Sequence, residues 1–146
     1  MRLTTEQKDK SIDRLWEVTC ACYTGVELPA RWFFEDCVRS GEVFVDSPLI
    51  DGYALVNTWW CADYVNPLLR SIAVRPVCRR LGIASALLNE LEAYYRTKEA
   101  DQLVLHVKVT NKDAQRLYLK HGWEVKTILR GWYDSEGDGL EMRKKL

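Results

Sequence analysis

A chain of 146 residues, 47% hydrophobic and 29% charged, has the size and balance of one globular domain with a core that needs no disulfide or metal staple. Lys plus Arg and Asp plus Glu stand at 21 each, so the net charge is zero, which argues against nucleic acid as a partner because neutralising phosphates takes a basic excess. No apolar run approaches the roughly 20 residues of a membrane span, and the first ten residues lack the apolar centre of a secretion signal.

Thr5 to Tyr23 reads as a helix with Ile12, Leu15, Trp16, Val18 and Thr19 near one face, broken by Gly25. Glu27, Leu28 and Pro29 form a loop, and Pro29 suits the first position of a second helix running to Arg39 and stopped by Gly41. Glu42–Val45 is a short strand, Asp51 and Gly52 a turn, and Tyr53–Trp60 a strand rich in β-formers. A third strand covers Leu68–Val74 and is closed by Pro76; the longest helix follows, from about Arg79 to Arg96, with Ile83, Leu87, Leu91 and Tyr94 at helical spacing. Leu103–Val109 alternates, putting Val104, His106 and Lys108 opposite Leu103, Leu105 and Val107. Asn111 suits the N-cap of a helix ending at Gly122, and two strands, Trp123–Arg130 and Leu140–Lys145, close the chain around an acidic, Gly-rich loop. The order is that of a single mixed α/β domain over residues 1–146, built on one sheet.

The five cysteines, Cys20, Cys22, Cys37, Cys61 and Cys78, are odd in number and lack Cys-x-x-Cys spacing, so they read as reduced, mostly buried thiols of a cytoplasmic protein. The two histidines, His106 and His121, are not at ligand spacing from any cysteine, and no metal is expected. His121, at the end of its helix, reads as a cation complementing the dipole.

Chemistry concentrates after the third strand. Arg79 and Arg80 in a first helical turn would oppose the dipole by about 0.3–1 kcal/mol each, which points to a docked anion. Free amides at a helix start make an anion nest, and Gly82 and Ala84 leave the backbone accessible. A solvated Arg pair explains the residues equally well on physics alone. The run Arg79, Arg80, Leu81, Gly82, Ile83 and Ala84, preceded by Ile72, Ala73 and Val74, resembles the Arg/Gln-x-x-Gly-x-Gly/Ala signature of the GNAT superfamily of N-acetyltransferases. The resemblance implies a mostly antiparallel mixed sheet of six to seven strands with about four helices. It also implies acetyl-CoA as co-substrate, its pyrophosphate held at Arg79–Ala84 and its pantetheine arm along Ile72–Val74.

Leu105–Trp123 resembles the family's second motif, a strand, Asn111, then Ala-x-x-Leu-Tyr ending on Tyr118, then Gly and an aromatic. By that match Asn111 lies near the cofactor arm and Tyr118 near the CoA sulfur. A phenol of pKa about 10 could serve a thiolate of pKa about 8.5, whereas without the motif Tyr118 would be a core aromatic beside Ala114 and Leu117. In the resemblance the position of His106 often carries the base that collects the amine's proton, and an imidazole of pKa about 6.5 suits that task. Without it, His106 reads as a hydrogen-bonded strand histidine.

Within the superfamily the chain is similar to ribosomal-protein-alanine and other protein N-terminal acetyltransferases, over about Glu27 to the end. That similarity implies a substrate clamp made by Glu27, Leu28 and Pro29 and by the loop bearing Tyr133. It implies a protein N-terminus as the amine acceptor, and the sequence leaves monomer and homodimer both open. Leu68 stands where several such enzymes carry a catalytic Tyr. Two other functions stay open: acetylation of a small amine such as a polyamine, amino acid or antibiotic, using an acidic pocket from Asp46, Asp51, Asp63 or Asp134–Asp138; and acyl-CoA sensing without turnover. Trp59, Trp60 and Trp132 suit an acceptor groove, a dimer face or the core equally.

Overall fold

A capping box opens the first helix. Thr4 Oγ1 accepts from the Gln7 amide at 3.3 Å while Gln7 Oε1 accepts from the Thr4 amide at 2.8 Å, satisfying two groups that the helix start would leave orphaned. In the computed structural model, which describes residues 1–57 and 66–146, α1 spans Thr5–Cys22 and α2 spans Arg31–Ser40. Strands β1 (Glu42–Val45), β2 (Gly52–Asn57) and β3 (Leu68–Val74) follow, then α3 (Ile83–Thr97), β4 (Gln102–Lys108), α4 (Lys112–Lys120), β5 (Glu124–Leu129) and β6 (Gly139–Lys145). The predicted continuation of β2 through Trp60, together with Cys61 and Asp63, lies outside the described residues. Among the described residues no helix is long and apolar enough to cross a membrane.

Pro29 does not open α2. Ala30 takes the cap with ψ 141° and the helix starts at Arg31, which leaves Pro29 in the entering loop. The C-terminus of α2 is closed from outside: the buried Lys8 Nζ donates to Gly41 O at 2.6 Å, one helix supplying the capping group of the next.

The six strands form one mixed sheet in the order β1-β2-β3-β4-β6-β5, agreeing with the expected fold class. One face packs on α3 and α4 through Leu87, Leu88, Leu91, Leu103, Leu105, Trp123 and Met142. The other packs on α1 and α2 through Leu15, Val18, Phe34, Val38, Val43, Tyr53 and Leu55. Leu87, Leu88 and Leu91, each 0–1% exposed, contribute about 1.5–3 kcal/mol apiece by leaving water.

One junction departs from regular pairing and positions the site. All neighbouring strands are antiparallel except β3 and β4, and these parallel strands pair only at Leu68↔Val104 and Leu69↔Leu105. Beyond that point they part. Opposite β2 the register skips Arg70, since Val56 pairs with Leu69 and Leu55 with Ser71. A bulge of this kind bends its strand and re-aims a side chain. From Arg70 to Val74 the β4-facing edge of β3 therefore has no strand partner, and a cleft opens there.

Candidate active site

The cleft belongs to a cavity of about 1010 Å³ lined from every layer: the end of α1, the α1–α2 loop, β3, the turn into α3, His106 on β4, α4 and the β5–β6 loop. It brings together most of the residues singled out from sequence. Ile72, Ala73, Val74, Arg79, Arg80, Gly82, Ile83, Ala84, His106, Asn111, Tyr118, Glu27, Pro29 and Tyr133 all line it. Leu28 and Leu81 do not, and the Leu81 side chain is 73% exposed.

The anion cradle is a turn, not the first turn of a helix. Pro76–Cys78 forms a short 3-10 turn, Arg80 adopts φ 64°, and Gly82 caps α3 at φ 81°, so the helix begins at Ile83 instead of Arg79. Arg79 and Arg80 thus stand just ahead of the helix instead of inside its first turn, still at the positive end of its dipole. The cause is Gly82, whose left-handed conformation favours a residue without a Cβ. The first bond back to the cap runs from Ala86 N to Gly82 O at 3.0 Å, leaving the amides of Ile83, Ala84 and Ser85 as the unpaired first turn beside two guanidinium groups. Arg79 Nε turns back onto Val74 O at 3.1 Å, tying the turn to the strand end.

Asn111 caps α4, its Oδ1 accepting from the Ala114 amide at 3.2 Å as its sequence position suggested. About two turns on, Tyr118 is 7% exposed, its ring 6.0 Å from Trp123. Burial, with Tyr23 and Tyr133 nearby, pushes its phenol far above the ordinary tyrosine range. It keeps its proton at neutral pH.

His106 projects from β4 onto the face opposite Leu105 and Val107, as the alternation predicts. Its cross-strand partner on β6 is Glu141, and its Nε2 lies 3.5 Å from Glu141 Oε1. The Trp132 ring stacks edge-on at 4.8 Å. Burial pulls the imidazole below its usual 6.5, with Glu141 opposing and Arg70 and Arg143 assisting. The side chain is neutral at pH 7 and can accept a proton.

Several residues at the site carry no local sequence signal. Tyr23, just past α1, donates to Ile72 O at 2.8 Å on the open β3 edge, and burial raises its phenol to about 12. The bulged Arg70 donates from Nε to Asn57 Oδ1 at 3.0 Å and lies over the Phe33 ring at 5.3 Å, and Arg70 and Phe33 both line the cavity. On the loop side, Lys108 Nζ sits 3.0 Å from Glu27 Oε1 and 2.6 Å from Glu136 Oε1. Glu27, expected from the resemblance to meet the substrate directly, is therefore engaged by a lysine.

Three further expectations change. His121 is not a dipole-capping cation at neutral pH: burial lowers its pKa, with Glu92 opposing and Lys144 and Lys120 assisting, and its Nε2 lies 3.0 Å from Ser85 Oγ. Of the four described cysteines only Cys37 is buried, while Cys20 is exposed and Cys22 and Cys78 are intermediate; Cys22, Cys37 and Cys78 line the cavity. The acidic pocket does not form from Asp46, Asp51 or Asp134–Asp138, none of which lines the cavity. Asp51 pairs with Arg14 and Arg75, and Asp46 accepts from the Asp51 and Gly52 amides.

Residues 12–123 match the model of the Acetyltransferase (GNAT) family. An uncharacterized N-acetyltransferase of Methanocaldococcus jannaschii is 36% identical over 97 residues, 66% of this chain and 62% of that protein. The N-terminal acetyltransferase B complex catalytic subunit NAT3 of Saccharomyces cerevisiae is 30% identical over 124 residues, 77% of this chain and 64% of its own. The chain thus spans just under two thirds of the length of these two relatives. The solved NatB acetyltransferase complex bound to CoA and MES shares the fold, with a TM-score of 0.75 at 24% identity over 100% of this chain and 97% of that one. By sequence and by fold, the chain belongs to the acetyltransferase (GNAT) family.

Proposed function

We propose that the chain is an acetyl-CoA-dependent N-acetyltransferase acting on the N-terminal α-amine of a protein or peptide, by direct attack with both substrates bound. The observation that carries this is one cavity holding, in sequence, an anion cradle at Arg79–Ala84, a β3 edge without a strand partner, the phenol of Tyr118 and the neutral imidazole of His106. A long thioester with a diphosphate head fits that series of features. The N-terminal acetyltransferase subunit among the relatives supports a peptide amine as the acceptor.

In this reading the pyrophosphate sits against the amides that open α3 and the Arg79 and Arg80 guanidiniums, and the pantetheine arm lies along Ile72–Val74. The neutral amine nitrogen attacks the thioester carbonyl carbon, a C–N bond forms and the C–S bond breaks. His106 takes the proton the nitrogen sheds, directly or through water. Tyr118 donates a hydrogen bond to the departing sulfur, which leaves as thiolate and is protonated by solvent. The wall around the acceptor amine is aromatic and cationic (Phe33, Arg70, Trp132, Tyr133) with Glu27 held by Lys108, which disfavours a polyamine.

The test is a mass-spectrometric screen in which the protein and acetyl-CoA meet N-terminal peptides, lysine peptides and small amines together. Acetyl on peptide α-amines is the expected product. Acetyl on small amines alone would move the acceptor to metabolites. Acetyl-CoA binding without transfer would leave a sensor.

A further inference from the structure

The cluster around Lys108 joins three parts of the chain that are far apart in sequence. Glu27 comes from the short turn between α1 and α2, Lys108 is the last residue of β4, and Glu136 lies between β5 and β6. Lys108 Nζ contacts Glu27 Oε1 at 3.0 Å and Glu136 Oε1 at 2.6 Å. The second oxygen of Glu136 accepts from the Val26 amide at 2.9 Å, so Glu136 grips the opposite loop by its backbone as well as through the lysine. The ammonium also lies 5.5 Å from the centre of the Tyr133 ring. Both carboxylates and the ammonium are only partly exposed, at 27%, 34% and 15%.

The described partners of the Lys108 side chain lie on the two loops that wall the acceptor half of the cavity, through Val26, Glu27, Trp132 and Tyr133, while Lys108 and Glu136 stand behind that wall. Trp132 in turn rests against His106. The lysine is thus one step from the substrate wall and two from the imidazole.

We propose that Lys108 is a positioning residue that clasps the α1–α2 and β5–β6 loops together, setting affinity for the acceptor peptide without touching it. The inference rests on the acetyltransferase reading above and adds to it the device that shapes the acceptor mouth. An ammonium has three donors, enough for two carboxylates, and no neutral side chain of that length could hold both. Ion pairing with Glu136 first and Glu27 second raises the lysine's pKa, and Lys108 with the Val26 amide lowers that of Glu136, so the clasp stays charged at neutral pH.

The test compares wild type with Lys108→Met, Lys108→Arg and Glu136→Gln. The acceptor is the best-used member of a pool of octapeptides varied at the first residue, with product measured by mass spectrometry. Lys108→Met should raise the acceptor KM about tenfold, as loss of positioning does, while the acetyl-CoA KM stays within about twofold. The Val26 amide should lose hydrogen-exchange protection in Lys108→Met and in Glu136→Gln. Lys108→Arg, which keeps the charge and the donors, should restore both readouts. An unchanged acceptor KM in Lys108→Met, an equal rise in both KM values, or a Lys108→Arg as defective as Lys108→Met would each overturn the proposal. Wild type that acetylates no peptide of the pool would sink the functional reading instead, and Val26 exchange would then still decide whether the clasp exists.

Discussion

Replacing Tyr118 by Phe separates a catalytic phenol from a core aromatic. The ring is 7% exposed and packs in the cluster of Leu87, Leu88, Trp123 and Met142, so a Phe preserves nearly all of its apolar contact. The hydroxyl makes no hydrogen bond to another described residue, so its removal leaves no partner stranded and stability should change by less than about 0.5 kcal/mol. The rate should behave otherwise. A hydrogen bond to a charged group is worth about 1.5–3 kcal/mol, which is about one to two decades in kcat at about 1.4 kcal/mol per decade. Initial rates with either substrate saturating should show kcat down by that factor with both KM values little moved, beside an unchanged melting temperature. The pH profile adds a second check. Because burial lifts the phenol far above 10, Tyr118 should not titrate in the working range, and wild type and variant should share the same basic limb. An unaltered kcat would make Tyr118 a packing residue. A basic limb near pH 9 that vanishes with the hydroxyl would show a titrating general acid and refute the argument from burial.

Other expectations follow from the same geometry. After division by the acceptor's own amine ionisation, at a pKa of about 7.7–8.0, the kcat/KM profile should retain an acid limb below 6.5, because His106 is inactive when protonated and burial lowers its pKa. Glu141→Gln removes the carboxylate that opposes this lowering and should move the limb to lower pH, whereas His106→Gln should abolish it; a limb above 6.5 would contradict the assignment. The two glycines that border the helices should respond unequally to alanine. Gly82→Ala places a Cβ in open space at φ 81°, costing about 1–2 kcal/mol of left-handed strain and weakening acetyl-CoA binding. Gly41→Ala drives a Cβ to 2.5 Å from Asn57 Nδ2, 2.6 Å from Val56 O and 2.8 Å from Cys37 O, two of them backbone, and should unfold at a lower denaturant midpoint than Gly82→Ala. Equal midpoints would refute that comparison.

What was legible in sequence is local. The spacing of Leu87 and Leu91, the alternation that turns His106 away from Leu105, and the Asn111 cap each lie within one element, where a period or a side-chain-to-backbone bond settles the matter. The short motif from Ile72 to Ala84 was readable for the same reason, yet its helix was placed four residues early. Nothing in Arg79–Gly82 distinguishes a first helical turn from a left-handed one until Gly82 takes φ 81° and Arg80 φ 64°. The residues missed act across long separations. Tyr23 meets Ile72 across 49 positions and Lys108 meets Glu136 across 28. A lone tyrosine after a helix or a glutamate in an acidic loop has solvated explanations that only tertiary contact removes. Glu27 was placed at the right loop and lines the cavity, but its ion pair with Lys108 joins residues 81 positions apart and has no sign in the sequence.

Proton counting along the hydroxyls under the cleft shows how the fold prepares the β3 edge. The Thr19 hydroxyl donates to Leu15 O at 2.7 Å, so its oxygen can only accept from Tyr53, 2.7 Å away. Tyr53 has thereby used its one proton, and Tyr23 has used its own on Ile72 O. Ser71 is left to donate to Tyr53 at 3.1 Å or to Tyr23 at 3.3 Å, and it is the single member with a choice. The Tyr23 proton is therefore committed to the Ile72 carbonyl whichever way Ser71 turns. A carbonyl oxygen has two lone pairs, so one remains for a further donor, and under the proposed function that donor is an amide N–H of the cofactor arm. The network of Thr19, Tyr53, Ser71 and Tyr23 thus ties the end of α1 to the β3 edge where β4 has parted from it.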